Sequence, residues 1–532
     1  AEQAASMLGL PGLERPWLPA LDHVVALERL PQPDSGSSAV IGVVDEPAQQ
    51  RQRPYEIDLD AAGSMLVFGG AGSGKTTLLR TLAIGLAARL PVRDLHVYGL
   101  DFGSHGLASL EALPHCGAIV PGEAEERVER LFRFLQRTID RRKEQFGLAG
   151  VFGVDEFRRA RPDEEMPRIL VLLDGYAGFA SAFERVNLGE LLDALPRLVS
   201  DGRSVGVHFA ITSDRRGSLP GALSGLVPLK LVLRMADEDE YGALGLDVRS
   251  VRGTVLPPGR GFVDGSLEMQ TAIVSDDPRA ESQAAAISAL GRRLTDAADT
   301  AAPPIRPLPT SVSASDLPAP ERPLEVPLGV GDSDLELRSV SLAEAHFLVI
   351  GPYRTGRTTA LRTIAEALRS ADPTLELHLL APRRSALSEL SIWTSSARGI
   401  EECDRAATDL AARVEARSLD GDNPPLVVVV DDGDELADTP GGRALERIVR
   451  RGRDLNARIV ASGERQAVQR AFSGWLREIR KDESGLLLDP DLDVDGDTFG
   501  VRLPRRSNLV FPPGRGFLVA RETLELVQVA SS

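Results

Sequence analysis

The sequence predicts an α/β protein of two tandem domains, each built on a mostly parallel central sheet. Three observations carry this reading. Apolar runs alternate with amphipathic stretches in each half, a glycine-rich loop joins a strand to a helix in both halves, and a set of motifs recurs in one order. Continuous apolar runs mark strands covered on both faces. Their alternation with helices marks parallel strands joined by right-handed crossovers.

Composition sets the outer limits. The chain has 532 residues, 42% apolar and 26% charged, enough for two or three cores at ~100–200 residues per domain. It is too apolar for disorder as a global state. No run approaches the ~18 uninterrupted apolar residues of a membrane span, and no basic segment leading into an apolar one opens the sequence. Cys116 and Cys403 are too few and too far apart for a disulfide framework or a zinc knuckle, which points to a reducing compartment. The net charge of −17 disfavours nucleic acid as the main partner, and no DNA-tracking basic segment is evident.

In the first half, Met65–Phe68 reads as a strand, Lys75–Arg89 as a helix and Leu95–Leu100 as a strand. An amphipathic helix follows, with Val128, Leu131, Phe132, Leu135 and Ile139 on one face. Ile169–Leu173 reads as a doubly buried strand. Between the first strand and helix, Gly69-Gly70-Ala71-Gly72-Ser73-Gly74-Lys75-Thr76, continued by Thr77, satisfies G-x-x-x-x-G-K-[ST] in full. Glycines let backbone N–H groups converge on an anion at a helix N-terminus. Lys75 would reach the β/γ-phosphates, Thr76 would hold Mg²⁺, and Asp174 at the end of the next apolar run would share that ion. Hydrolytic members of this class usually carry a water-orienting glutamate next. Here that position is Gly175, and nothing in the sequence places a substitute such as Glu184. This half is expected to bind ATP and turn it over poorly.

The second half repeats the plan with changes. Its loop, Gly351-Pro352-Tyr353-Arg354-Thr355-Gly356-Arg357-Thr358 and then Thr359, keeps the spaced glycines and the hydroxyl but has Arg357 in place of lysine. Arginine neutralises phosphate, yet its planar fork is no equivalent of a lysine in a narrow channel. The run Leu426–Val430 ends in Asp431-Asp432, so carboxylates for Mg²⁺ and for water are present, the second one methylene shorter than glutamate. Nucleotide binding and a vestigial packing role both remain open for this loop. The string PPGRGF also occurs twice, at Pro257–Phe262 and Pro512–Phe517, each time before a β-like tail. Eight prolines between Pro303 and Pro327 suggest an extended join, and the expected domains are 1–300 and 301–532.

Other residues carry weaker signals. Ser213 and Ser462, at strand ends, are candidates for sensing a γ-phosphate, and Arg203 and Arg453 for reaching a neighbour's nucleotide. Arg260 and Arg515 suit a structural turn or a nucleotide contact. Phe472 and Trp475 suit a core, and the seven histidines show no ligand spacing.

Taken in order, these motifs resemble the FtsK/SpoIIIE branch of P-loop motor ATPases, with RecA-like domains, and within it the EccC ATPases of type VII (ESX) secretion. The residues are Arg15-Pro16-Trp17-Leu18-Pro19, Ile41–Pro47, the full phosphate loop, Tyr98–Gly103, Leu113-Pro114-His115, Asp174-Gly175-Tyr176 and the paired PPGRGF strings. Arg306-Pro307-Leu308-Pro309 and Leu328-Gly329-Val330 reopen the series. The resemblance implies that the chain corresponds to the second and third ATPase domains of such a motor, held at the cytoplasmic face of the plasma membrane by neighbouring ATPase domains and a membrane core. It implies that the last domain docks the C-terminal signal of small helical WXG-motif substrates, and that multimerisation regulates the upstream motor. A DNA translocase of the same fold and a nucleotide-stabilised scaffold are the competing readings.

Overall fold

The computed structural model of the chain describes residues 18–33, 36–184, 189–251, 256–320, 322–418, 423–504, 509–520 and 523–531. Arg15–Trp17 of the opening motif lie outside these. The chain divides into two compact units, Ala1–Arg306 and Pro307–Ser532.

The first unit contains β1 (Ser38–Glu46), β2 (Arg51–Asp58), β3 (Met65–Phe68), β4 (Leu95–Asp101), β5 (Cys116–Pro121), β6 (Arg168–Asp174), β7 (Val207–Ser213), β8 (Leu229–Leu233), β9 (Arg260–Val263) and β10 (Leu267–Thr271). They form one sheet in the order β2-β1-β10-β9-β8-β3-β7-β6-β4-β5. The block from β8 to β5 is parallel, and the remaining strands make an antiparallel wing. Helices α1 (Lys75–Ala87), α2 (Glu125–Ala149), α3 (Tyr176–Phe183), α4 (Glu190–Gly202) and α5 (Ala280–Asp296) cover the sheet.

β6 shows why the apolar runs are continuous. Ile169, Val171 and Leu173 enter one core with α2, α3 and α4, while Leu170 and Leu172 enter a second core with α1. Alternate side chains thus face opposite layers, and both layers are dry. Burying each such residue contributes ~1.5–3 kcal/mol. In α2, Val128, Leu131, Phe132, Leu135 and Ile139 are buried as the periodicity predicted. The segment after α5 stays with this unit. Ala302 N donates to Pro114 O at 2.9 Å, Tyr98 Oη to Pro303 O at 2.9 Å, and Arg127 Nε to Ile305 O at 3.0 Å.

The second unit contains β11 (Val312–Ser313), β12 (Glu325–Gly331), β13 (Leu337–Ser341), β14 (Phe347–Gly351), β15 (Glu376–Ala381), β16 (Ser395–Arg398), β17 (Leu426–Val430), β18 (Ala457–Glu464), β19 (Ser484–Leu488), β20 (Arg515–Ala520) and β21 (Thr523–Ser531). Apart from β11, which pairs β21, the order is β13-β12-β21-β20-β19-β14-β18-β17-β15-β16. That is the first unit's order, strand for strand. Helices α6 (Arg357–Ala371), α7 (Ile400–Glu415), α8 (Pro440–Arg451), α9 (Arg465–Arg470) and α10 (Trp475–Arg480) pack on it.

The antiparallel wing goes beyond the sequence reading, which saw only its β-like tails. β1 and β2 carry Asp45, Glu46, Arg51, Arg53, Glu56 and Asp58, and Glu46 is bridged by Arg51 at 2.5 Å and Arg53 at 2.7 Å. A hairpin this charged gives little apolar periodicity to read.

Candidate functional site

Both glycine-rich loops lie at the C-terminal ends of central strands, β3 and β14, and open α1 and α6. In parallel sheets this edge is where ligands bind. The two loops share one backbone shape. Gly72 and Arg354 both have φ +67°, and Gly74 and Gly356 have φ +102° and +101°. Arg354 therefore holds a left-handed conformation that costs a side-chain-bearing residue about 1–2 kcal/mol, and the turn persists without a glycine there.

In the first loop, Lys75 Nζ donates to Gly69 O at 2.6 Å and Gly70 O at 3.0 Å and meets Asp214 Oδ1 at 2.8 Å. Thr76 Oγ1 donates to Asp174 Oδ2 at 2.6 Å, and Thr212 Oγ1 donates to Asp174 Oδ1 at 2.7 Å. Asp174 is buried. Burial raises its pKa, an effect that the Thr76 and Thr212 hydrogen bonds reduce and nearby Asp101 reinforces. A hydroxyl beside a buried carboxylate is an oxygen-only donor set of the kind that suits Mg²⁺. Ser73 Oγ is buried in the loop with no partner among the described residues.

Gly175 follows with φ +87°, and a Cβ there would lie 3.2 Å from the carbonyl carbon and oxygen of Phe102. Glutamate at this position would be strained by both conformation and crowding. Glu184, the substitute considered above, is exposed at the far end of α3, about 13 Å along the helix at ~1.5 Å per residue. Gly175→Glu is expected to lower stability by about 1–2 kcal/mol and to leave ATP turnover no faster. Thermal melting and a phosphate-release assay on the variant check both parts.

In the second loop, Thr358 Oγ1 lies 3.1 and 3.3 Å from the Asp431 carboxylate oxygens. Asp431 also accepts from Ser462 Oγ at 2.7 Å and Ser385 Oγ at 2.6 Å. Arg357 Nη2 donates to Asp432 Oδ1 at 2.9 Å. Asp432 sits at φ +53°, the place Gly175 takes in the first unit, and burial followed by the Asp431 charge raises its pKa.

The paired PPGRGF strings have a clear local role. Gly259 N donates to Ser73 O and Gly514 N to Thr355 O, both at 2.8 Å, so each turn braces the phosphate loop from behind. The arginines point elsewhere. Arg260 binds Gln270, Glu268 and the carbonyls of Leu21 and Asp22, and Arg515 binds the carbonyls of Leu308 and Pro309. Both are structural anchors in these contacts.

Strand register corrects the serine pairing. Val67 pairs with Thr212 and Val349 with Ser462, so Thr212, not Ser213, is the partner of Ser462. Ser213 Oγ instead donates to Arg215 O at 2.9 Å. Arg203 and Arg453 precede β7 and β18, at the sheet edge opposite their own loops. Trp475 is fully buried, whereas Phe472 is 83% exposed and belongs to no core. Thr212 at the end of β7, Asp214 just after it, and Ser385 at the N-cap of a short 3-10 helix after β15 are lone polar residues that carry no motif.

One surface departs from the overall acidity. Between Arg443 and Lys481 the chain has eleven Arg/Lys against four Asp/Glu. Arg443 and Arg451 on α8, Arg470 on α9 and Arg477 on α10 are exposed, and no salt bridge involves them among the described residues.

Comparison with known proteins places this geometry. Residues 32–263 match the FtsK/SpoIIIE family. The ESX-4 secretion system protein EccC4 of Mycobacterium tuberculosis is 30% identical over 98% of this chain and 43% of its own length. The ESX secretion system protein EccC of Thermomonospora curvata is 27% identical over 97% of this chain and 42% of its own. This chain thus spans about two-fifths of the length of these relatives. A solved structure of T. curvata EccC, ATPases 2 and 3 in complex with a signal sequence peptide, superposes with TM-score 0.77 at 25% identity and covers 97% of this chain and all of that one.

Proposed function

Because residues 32–263 carry an FtsK/SpoIIIE domain and the chain is similar to EccC ATPases along nearly its whole length, we propose that it is the ATP-binding, substrate-recognising module of a type VII secretion motor. The observation that carries the nucleotide part is the first loop, where Thr76 hydrogen-bonds buried Asp174, Lys75 lies on the loop carbonyls beside Asp214, and Gly175 has no side chain to orient water. ATP sits on the Gly69–Thr77 loop and, in the second unit, on Gly351–Thr359. Lys75 and Arg357 neutralise phosphate, and Thr76 with Asp174 and Thr358 with Asp431 hold Mg²⁺. Such an ion would draw the phosphate oxygens toward the loop, while the protein supplies rigidity and charge. Hydrolysis is slow, and bound nucleotide stabilises and regulates.

Two observations support peptide recognition. A structural neighbour binds a signal sequence peptide, and the first unit already seats an extended segment, with Ile305 buried in its core. The duplicated face of the second unit, at β16 and the start of α7, has Ile400 42% exposed. The C-terminal signal of a small helical WXG-motif substrate docks there, and the assembly is multimeric at the cytoplasmic face of the plasma membrane. In this reading neighbouring ATPase domains and a membrane core supply the attachment; among the described residues no helix is long and apolar enough to cross a membrane.

A labelled substrate tail is expected to bind the chain saturably and to weaken with Ile400→Asp, read by fluorescence anisotropy. No saturable binding would turn the reading to a nucleotide-stabilised scaffold. The basic face around α8 to α10 favours DNA translocation as the second reading, since unpaired arginines attract phosphate. Strong stimulation of ATP turnover by duplex DNA would establish it.

A further inference from the structure

We propose that the Arg357–Asp432 ion pair is a latch on the second phosphate loop, so that a nucleoside polyphosphate binds there only by drawing Arg357 away from Asp432. The inference rests on reading this loop as a nucleotide site and adds what controls it.

The loop backbone itself is ready. Its positive φ angles at Arg354 and Gly356 match those of the first loop, and Gly514 braces it as Gly259 braces the other. What differs is the cation. Arg357 and Asp432 side chains are only 12% and 23% exposed, and Nη2 is committed to Asp432 Oδ1 at 2.9 Å. Nη1 is buried with no hydrogen-bond partner among the described residues. A guanidinium has five donors in a fixed fork, so this one is half used and half waiting.

The carboxylate is held in place as well. Its backbone takes φ +53°, and its N–H donates to Ser462 Oγ at 2.9 Å, the same serine that binds Asp431. The main chain that carries the Asp432 carboxylate is thus tied to the serine that binds Asp431. In the first unit the equivalent residue is Gly175, and Lys75 meets Asp214, whose side chain is 63% exposed. With one partner in water the first pair is screened and yields more readily, whereas separating a pair buried on both sides leaves a charge with no compensation. One loop is thus open to phosphate and the other is competed for by its own acid.

The test uses the full chain with Lys75→Ala to silence the first loop, titrated with a fluorescent ATP analogue and Mg²⁺. Asp432→Asn removes the charge at nearly constant shape, and asparagine accepts the left-handed conformation. It is expected to tighten binding at the second loop about tenfold or more. Arg357→Lys, too short and compact to keep the pair, should also tighten it, and combining the two should add little, because both remove one interaction. Calorimetric stoichiometry on the chain with Lys75 intact gives the same comparison should Lys75→Ala impair folding. Measurable binding that Asp432→Asn leaves unchanged or weakens overturns the latch while the second loop stands as a nucleotide site. Absence of binding with and without Asp432→Asn overturns both.

Discussion

Lys75→Ala is expected to empty the first phosphate loop, with ATP affinity there falling roughly 10–100-fold, as the loss of a charge-assisted hydrogen bond of ~1.5–3 kcal/mol predicts. The ammonium is 12% exposed and already centred in the loop by Gly69 O and Gly70 O. Little side-chain freedom remains to be lost when phosphate arrives, so most of its attraction is expressed as affinity. Alanine also leaves two carbonyl oxygens and Asp214 facing the ligand with no intervening cation, which turns attraction into repulsion. Nucleotide content of purified protein and equilibrium titration read the result. Nucleotide retained at wild-type affinity would remove the first loop as the binding site.

Arg168→Met is the substitution expected to weaken the fold most, by roughly 3 kcal/mol, the lower end for breaking a buried pair by removing one partner. Arg168 opens β6, is 2% exposed, and donates to Asp60 Oδ1 at 3.0 Å, Asp60 Oδ2 at 2.6 Å and Asp155 Oδ1 at 2.6 Å. Asp60 and Asp155 are 38% and 64% exposed, so they regain water once abandoned, which holds the loss to the lower end. The midpoint of thermal unfolding should fall by roughly 6–12 °C at ~2–4 °C per kcal/mol, and Arg168→Lys, which keeps charge but not the fork, should fall less. Acid sharpens the case. Burial disfavours the Asp60 carboxylate, yet His208, whose Nε2 lies 3.5 Å away, and the hydrogen-bonded Arg168 guanidinium depress its pKa overall. A depressed folded pKa means that the stabilisation is complete above the ordinary carboxylate value of ~3.9 and is lost as pH falls below it. Wild type should therefore lose stability on that acid limb, and Arg168→Met should lose less of it. Equal acid sensitivity in both would show that this cluster is not the source.

The legible part of the molecule was the parallel half. Continuous runs such as Ile169–Leu173 and the loop between β3 and α1 announce themselves because burial on two faces and phosphate geometry each tolerate few residue types. The duplication was legible for the same reason, as PPGRGF is fixed by a turn that must fit behind a phosphate loop. What escaped notice was held in part by geometry. Thr212 matches Ser462 by strand register and also by spacing, nine residues after Arg203 as Ser462 is after Arg453, and one residue of shift turns a side chain to the other face. The Arg357–Asp432 pair joins positions 75 residues apart, whereas the basic run from Arg443 to Lys481 is contiguous in the sequence. The total charge concealed it.

Each unit keeps its chain ends away from its chemistry. The first and last long strands of each unit, β1 with β10 and β12 with β21, pair with each other in the antiparallel wing, Gly42 opposite Thr271 and Gly329 opposite Val529. A gene encoding such a unit can be copied in series without cutting the parallel strands that carry the phosphate loop. Concatenation is therefore a small evolutionary step for this fold. Once two copies exist, one can drift in its lysine and the other in its water-orienting acid while both keep their shape, which is the divergence that Arg357 and Gly175 record.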